Sequence, residues 1–417
     1  MHFHVLGTGT IGCLIASYLR QSNHTVTLLL KNAQSLVAYR KNDGITYEKD
    51  GVATKIRDFD LELAGDAFGR RPFLSSAPHH TFAITTSADT DDPIENLVVT
   101  TKAYNAIDAV IPLTRRIGRQ STIIFLQNGM GVYEDLAKRC FPDGNTRPSF
   151  VVGVNTHGAY RSDAFHVIHA GWKGEIHLGV VPREEETMAS ETQSGFEAIQ
   201  QDNPANDAHG HGGQSDIFVD TSAITPTNND PSLLSSTSNI TSSPSSHSST
   251  ASLDSTLIAF LKLPLNTYFE PWPMMQCRIL EKLVINSCIN PVTALLRCRN
   301  GDLVGRRQGG QLIQYVCDEA AEVIRASGLI SDEHVIATRF RSDTLQRNVV
   351  RVCRNTAKNE SSMLQDVRVR RITEVDYMNG YLSRLGKRFG IPTPVNDALV
   401  TMIKLQHRLA IKKDAKL

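Results

Sequence analysis

Apolar and polar positions along the chain fall into two regimes. In the first, His2 to Leu6 is short and largely apolar, Ile11 to Arg20 carries apolar residues at helical intervals, and Val26 to Leu30 is a second β-rich run. Buried parallel strands read as continuous apolar runs, so this order predicts a strand, helix, strand unit and a doubly wound parallel sheet. Further strands are predicted at Leu97 to Thr101 and Thr122 to Leu126, with a helix between them starting near Tyr104. From Val151 to Val181, glycines at 158, 171, 174 and 179 punctuate β-rich segments, which predicts antiparallel edge strands. In the second regime, from about Met274 to Lys416, apolar positions recur almost entirely at helical spacing, opened by a helix from roughly Met275 to Arg297. The expected fold is α/β: a doubly wound sheet in an N-terminal domain, 1–270, followed by an all-α C-terminal domain, 271–417.

One stretch fits neither regime. Residues 184–253 begin with a Glu run and continue in Ser, Thr, Asn, Gly and His with few aromatic residues. Such a segment buries too little surface to offset its ordering entropy, which predicts a disordered insertion with order returning near Leu257. His209 and His211 lie within it, but no Cys or carboxylate cluster stands at ligand spacing, so no metal site is expected.

Composition narrows the partners. A chain of 417 residues with 41% hydrophobic content can build two cores. Its 44 Lys and Arg against 43 Asp and Glu give no field that would recruit nucleic acid or a membrane surface, so a small-molecule partner is expected. The seven cysteines form no C-x-x-C pair and read as reduced core thiols. No uninterrupted apolar run reaches the roughly twenty residues of a membrane helix, and Met1 leads straight into a strand, so the expected location is the cytoplasm.

Candidate chemistry begins at Gly7-Thr8-Gly9-Thr10-Ile11-Gly12, which follows an apolar strand and opens an amphipathic helix. In that setting Gly7 permits the tight turn, Gly9 lets backbone N–H groups approach a pyrophosphate, and Gly12 allows helix to pack on strand. An ordinary strand-to-helix turn is the plainer alternative. The second strand ends in Leu30-Lys31 rather than in the acid that receives the ribose hydroxyls of NAD, so Lys31 could pair with the 2′-phosphate of NADP. Asn32 and Arg40 are weaker candidates, and a merely solvated Lys31 stays open. Lys102 follows the strand at Leu97, and Gln127-Asn128-Gly129-Met130-Gly131 follows the strand at Thr122. Ligands of doubly wound sheets lie outside such strand ends, where a lysine would attract an anion.

In the second domain Lys282, Asn286 and Asn290 stand four residues apart, which places them on one face of a mostly apolar helix. A buried lysine needs a partner or a depressed pKa, and either suits a proton donor near neutrality. A hydrogen-bonded stripe inside a helical core is the alternative. Ser361 or Ser362 could cap a later helix, with Glu374 expected three turns along it.

Taken with Thr156-His157-Gly158-Ala159, Ser361-Ser362-Met363, Gln365-Asp366, Thr373-Glu374, Asp376-Tyr377 and Asn379-Gly380, these motifs resemble the ketopantoate reductases, or 2-dehydropantoate 2-reductases, over most of the chain outside the insertion. The resemblance implies a Rossmann domain followed by a helical domain, with NADPH and a 2-keto acid in the cleft and pantoate, a precursor of coenzyme A, as product. It implies Lys282 as general acid, Asn286 and Asn290 as substrate-positioning amides, Ser362 as ligand of the substrate carboxylate and Glu374 as acceptor of the substrate hydroxyl. Lys102 and Asn128 would meet both cofactor and substrate at the crevice, and Glu374 would also meet the cofactor that Gly7 to Gly12 and Lys31 hold. The departures are the insertion and an expanded segment from Gly65 to Asp92. A homodimer is one candidate assembly. A different 2-keto acid, or a dinucleotide-binding scaffold that has lost catalysis, are the competing functions.

Overall fold

The computed structural model describes residues 1–64, 85–86, 90–170, 174–183 and 247–414. The N-terminal half runs β1 (His2–Leu6), α1 (Thr10–Gln21), β2 (Thr25–Leu30), α2 (Ala33–Asn42), β3 (Ile45–Lys49), β4 (Val52–Ile56), β5 (Asp60–Leu63), β6 (Thr85–Thr86), β7 (Asn96–Val99), α3 (Ala103–Val110), β8 (Thr122–Phe125) and α4 (Val132–Cys140). It continues through β9 (Ser149–Asn155), β10 (Ala159–Asp163), β11 (His166–His169), β12 (Ile176–Val180), α5 (His247–Leu261) and β13 (Thr267–Phe269).

Nine strands form one sheet in the order β13-β12-β9-β8-β7-β1-β2-β5-β6, and every pairing from β9 to β6 is parallel. Both faces are covered. Val98, Ile124 and Leu126 pack on the side of α1, whereas Leu97, Val99 and Phe125 pack on the side of α3 and α4. The chain leaves β1 for β2 on one side and later enters β7 on the other. That reversal opens a crevice at the carboxyl ends of β1 and β7, where a doubly wound sheet binds its ligand.

The expectation of simple edge strands between Val151 and Val181 is corrected in detail. β9 extends the parallel sheet beside β8, and only β12 is antiparallel to it. β10 and β11 leave for a second sheet of order β10-β11-β3-β4 that packs on α1 and buries Tyr18, Tyr47 and Phe165. The predicted insertion also shifts. Residues 184–246 lie outside the described residues, as do His209 and His211, but 247–253 form the first half of α5, so the disorder expected there is wrong. The second half carries Leu257, Phe260 and Leu261, whose burial in the α1-side core anchors the helix.

The C-terminal region is helical: α6 (Trp272–Leu296), α7 (Arg307–Ser327), α8 (Glu333–Arg339), α9 (Ser342–Asn355), α10 (Ser362–Arg368), α11 (Asn379–Phe389) and α12 (Pro394–Asp414). At its centre α6 packs against α7, α9, α10 and α12 and also leans on β9 and β12. By length and composition α6 could cross a membrane, with mean hydropathy 1.3, but 72% of that window is buried within the protein. Its interior Pro291 has no N–H to give the carbonyl of Ser287 one turn back. Asn379 replaces that donor at 3.0 Å and bonds Asn396 at 2.9 Å, tying α6 to α11 and α12. All seven cysteines are free thiols, and Cys13, Cys277, Cys288, Cys317 and Cys353 are buried.

Candidate active site

The glycine turn connects β1 to α1. Gly7 sits at φ +108°, and a Cβ there would come within 2.7 Å of the Thr101 nitrogen. A Cβ on Gly12 would lie 1.7 Å from the Gly7 carbonyl oxygen, so helix and strand touch only because both residues lack side chains. At Gly9 a Cβ would meet nothing within 4 Å, and no side chain caps α1. Open space therefore lies beside Gly9, at the uncapped and positive end of α1, which fits a dinucleotide pyrophosphate.

Lys31 follows β2, is exposed, and makes no side-chain bond among the described residues. Asn32 is committed elsewhere: it caps α2 by accepting from the Ser35 backbone N–H at 3.0 Å. Arg40 lies in the last turn of α2. Just past the end of β7, Thr100 donates to the Gly7 carbonyl at 2.6 Å. Lys102 then reaches across to the helical region, 2.7 Å from Asp366 and 3.1 Å from Glu374. Burial alone would lower this ammonium, but the charges of Glu374 and Asp366 outweigh it and hold it above its usual value. Lys102 is thus a clasp between the two halves rather than an unpaired attractor of anions.

Glu374 is 4% exposed and accepts from the Ala103 backbone N–H at 3.0 Å through its other oxygen, at the N-terminal turn of α3. Its expected place on the helix of Ser361 and Ser362 is corrected. That helix, α10, ends at Arg368, the chain turns through Arg370 at φ +56°, and Glu374 flanks a 3₁₀ turn at Val375–Tyr377. Ser361 is the cap, accepting from Leu364 at 3.1 Å, which leaves the half-buried Ser362 hydroxyl uncommitted among the described residues. Asp366 carries no sequence signal of its pairing with Lys102 beyond a spacing of four residues after Ser362, which puts both on one face of α10.

The loop bearing Asn128 is held from the other side of the cleft. Gly129 sits at φ +90° with room for a Cβ excluded by Tyr377 at 2.7 Å, and the Met130 N–H donates to the Tyr377 carbonyl at 2.9 Å. Asn128 and Asn286 are half-buried and make no side-chain hydrogen bond among the described residues. Asn290 is 6% exposed beside the sulfur of Met378 at 3.6 Å.

Lys282 completes the arrangement. Its ammonium donates to the main-chain carbonyl of Asn155, the last residue of β9, at 2.9 Å. Burial lowers its pKa to about 8, opposed by the charge of Glu374. The neighbouring Glu281 points away into a two-bond pair with Arg339, 2.9 Å for each bond. Lys282 therefore carries a proton it can release near neutrality, within the electrostatic reach of Glu374 and one helical turn before the uncommitted Asn286.

A parallel-sheet dinucleotide domain that delivers its cleft to an ammonium on a helical domain defines a class: an oxidoreductase acting on CH–OH groups. The family models agree, matching residues 3–183 to the ketopantoate reductase domain and 274–407 to its C-terminal domain. The chain belongs to the ketopantoate reductase family. A relative called probable 2-dehydropantoate 2-reductase from Schizosaccharomyces pombe is 27% identical over 409 residues, covering 96% of this chain and 95% of its own. Among solved structures, the Ralstonia eutropha ketopantoate reductase superposes with TM-score 0.64 at 16% identity, covering 98% of this chain and 99% of its own. A D-mandelate dehydrogenase solved with NADH and anilino(oxo)acetate reaches TM-score 0.63 at 17% identity, covering 98% and 99%.

Proposed function

We propose that the protein reduces 2-dehydropantoate to (R)-pantoate with NADPH, a cytoplasmic step toward coenzyme A, and that Lys282 is the general acid. The observation that carries this reading is the Lys282 ammonium on α6, lowered to about 8 and held by the Asn155 carbonyl at the end of β9 in the dinucleotide-type sheet. A nicotinamide cofactor supplies the hydride when bound. As the ketone is reduced, negative charge grows on its oxygen, and an ammonium beside it both stabilises that charge and delivers the proton. Asn286 and Asn290, one and two turns along the same helix, hold the substrate against Lys282. Ser362, uncommitted at the start of α10, takes the carboxylate. Glu374 accepts the substrate hydroxyl while keeping Lys102 neutralised.

The preference for NADPH rests on Lys31, a cation standing where an NAD site has an acid. The reading also admits a homodimer. Met402, Leu405 and Leu409 on α12 are exposed at spacings of three and four, an apolar stripe suited to a second copy.

The test follows NADPH absorbance with purified protein and 2-dehydropantoate beside a Lys282→Ala variant. Turnover by the wild type and its loss in the variant are expected. A wild type that binds NADPH without turnover refutes the enzyme reading.

A further inference from the structure

The carbonyl that holds Lys282 is itself unusually constrained. Asn155 accepts, through its side-chain oxygen, the backbone N–H of His157 at 2.8 Å, so residues 155–157 close into a turn. Thr156 bonds Glu175 in both directions, its N–H donating at 2.9 Å and its hydroxyl accepting at 2.8 Å. Gly174 packs so closely that a Cβ there would fall 2.4 Å from the Cα and Nδ1 of His157.

The His157 ring anchors the turn. It is 8% exposed, with Nε2 lying 2.9 Å from the Leu265 carbonyl and Nδ1 2.9 Å from Nε2 of His169. A carbonyl only accepts, so neutral His157 carries its proton on Nε2 and Nδ1 accepts from His169. His169 then presents Nδ1 as an acceptor to Tyr47 at 3.2 Å, and Tyr18 bonds Tyr47 at 2.6 Å. One carbonyl thereby orders the whole buried chain from Leu265 to Tyr18.

We propose that His157 is a positioning residue for the proton donor: by fixing the 155–157 turn it aims the Asn155 carbonyl at Lys282 and sets where that ammonium sits. Lys282 springs from α6 on a flexible stem, whereas Asn155 is the last residue of β9 paired with β12, opposite Ile176. Beyond that pair the Thr156 and Glu175 bonds hold the near side of the turn, and the His157 ring anchors its far side. The proposal rests on the reading of Lys282 as general acid.

The experiment compares Asn155→Ala, His157→Ala, His157→Gln and Lys282→Ala in steady-state NADPH oxidation with 2-dehydropantoate from pH 6 to 10, with cofactor binding measured by fluorescence. Asn155→Ala removes the acceptor of the turn without opening a buried cavity, so it tests the idea even if His157→Ala fails to fold. Both alanine variants should bind NADPH as the wild type does and lose about 10- to 100-fold in kcat, with KM little changed. Their basic limb in kcat should move down by about one pH unit, as an ammonium deprived of a well-aimed acceptor releases its proton sooner. His157→Gln, whose amide can still donate to Leu265, should recover most of kcat. A purely structural role would lower only the amount of folded enzyme. If folded Asn155→Ala keeps the wild-type limb and kcat while Lys282→Ala is inactive, positioning is refuted and the acid stands. If Lys282→Ala turns over like the wild type, both ideas fall.

Discussion

Replacing Lys282 with methionine should stabilise the folded protein while destroying its activity. Burial takes the ammonium from the ordinary lysine value of 10.5 to about 8. At 1.36 kcal/mol per pH unit, the folded state opposes the charge by about 3 kcal/mol, or about 2 to 3 once the partial access of this half-buried side chain is discounted. The sign follows from proton binding. Between about 8 and 10.5 the unfolded chain holds more protons at this position than the folded one, so this contribution makes stability rise with pH across that window. Below about pH 8 both states are protonated and the penalty is at its full value. A methionine keeps the volume and carries no charge. Thermal unfolding of ligand-free protein should therefore show Lys282→Met melting a few degrees above the wild type at pH 7, with the gap closing toward pH 10. Turnover at pH 7 should fall by 10²-fold or more, as proton donor and charge stabiliser vanish together. A variant that melts lower than the wild type at pH 7, or a gap that does not change with pH, would show that this lysine is not held against its own charge.

Three further outcomes follow from the site. Gly9→Ala should fold with unchanged melting temperature, because its Cβ meets nothing within 4 Å, yet weaken NADPH binding at least about tenfold in a fluorescence titration; Gly12→Ala, with a Cβ 1.7 Å from the Gly7 oxygen, should yield little soluble protein. Lys31→Ala should raise the KM for NADPH by about 5- to 10-fold and barely change that for NADH, and equal effects on both would remove the 2′-phosphate assignment. Glu374→Gln removes the charge that opposes the lowering of Lys282, so the basic limb of kcat should move to lower pH and kcat/KM should drop about 10- to 100-fold; a limb at its wild-type position would show the two groups to be uncoupled.

Local signals were legible in the sequence, and distant ones were not. The turn from Gly7 to Gly12 is encoded by consecutive residues, and the Lys282, Asn286, Asn290 stripe needs only the period of one helix. The second sheet pairs β3 with β11, residues more than a hundred positions apart, and nothing in the alternation near Ile45 or His166 names its partner. The same holds for the clasp: Lys102 is visible as a strand-end lysine, but Asp366 and Glu374 meet it only after the helical region docks. At α5 the Ser- and Thr-rich start masked a helix whose second half carries the apolar anchors. Glu374 was misplaced because periodicity cannot foresee the left-handed residue at Arg370.

Among the described residues the chain passes from sheet to helices between Phe269 and Trp272, and that short crossing is braced. Glu270 takes His177 at 2.8 Å and the Arg278 guanidinium through Nε at 3.0 Å, and Pro271 opens α6. With the Lys102 clasp, the two cores are tied at a second place besides the crossing. Melting of either core would break both ties, so calorimetry should record one cooperative transition rather than two.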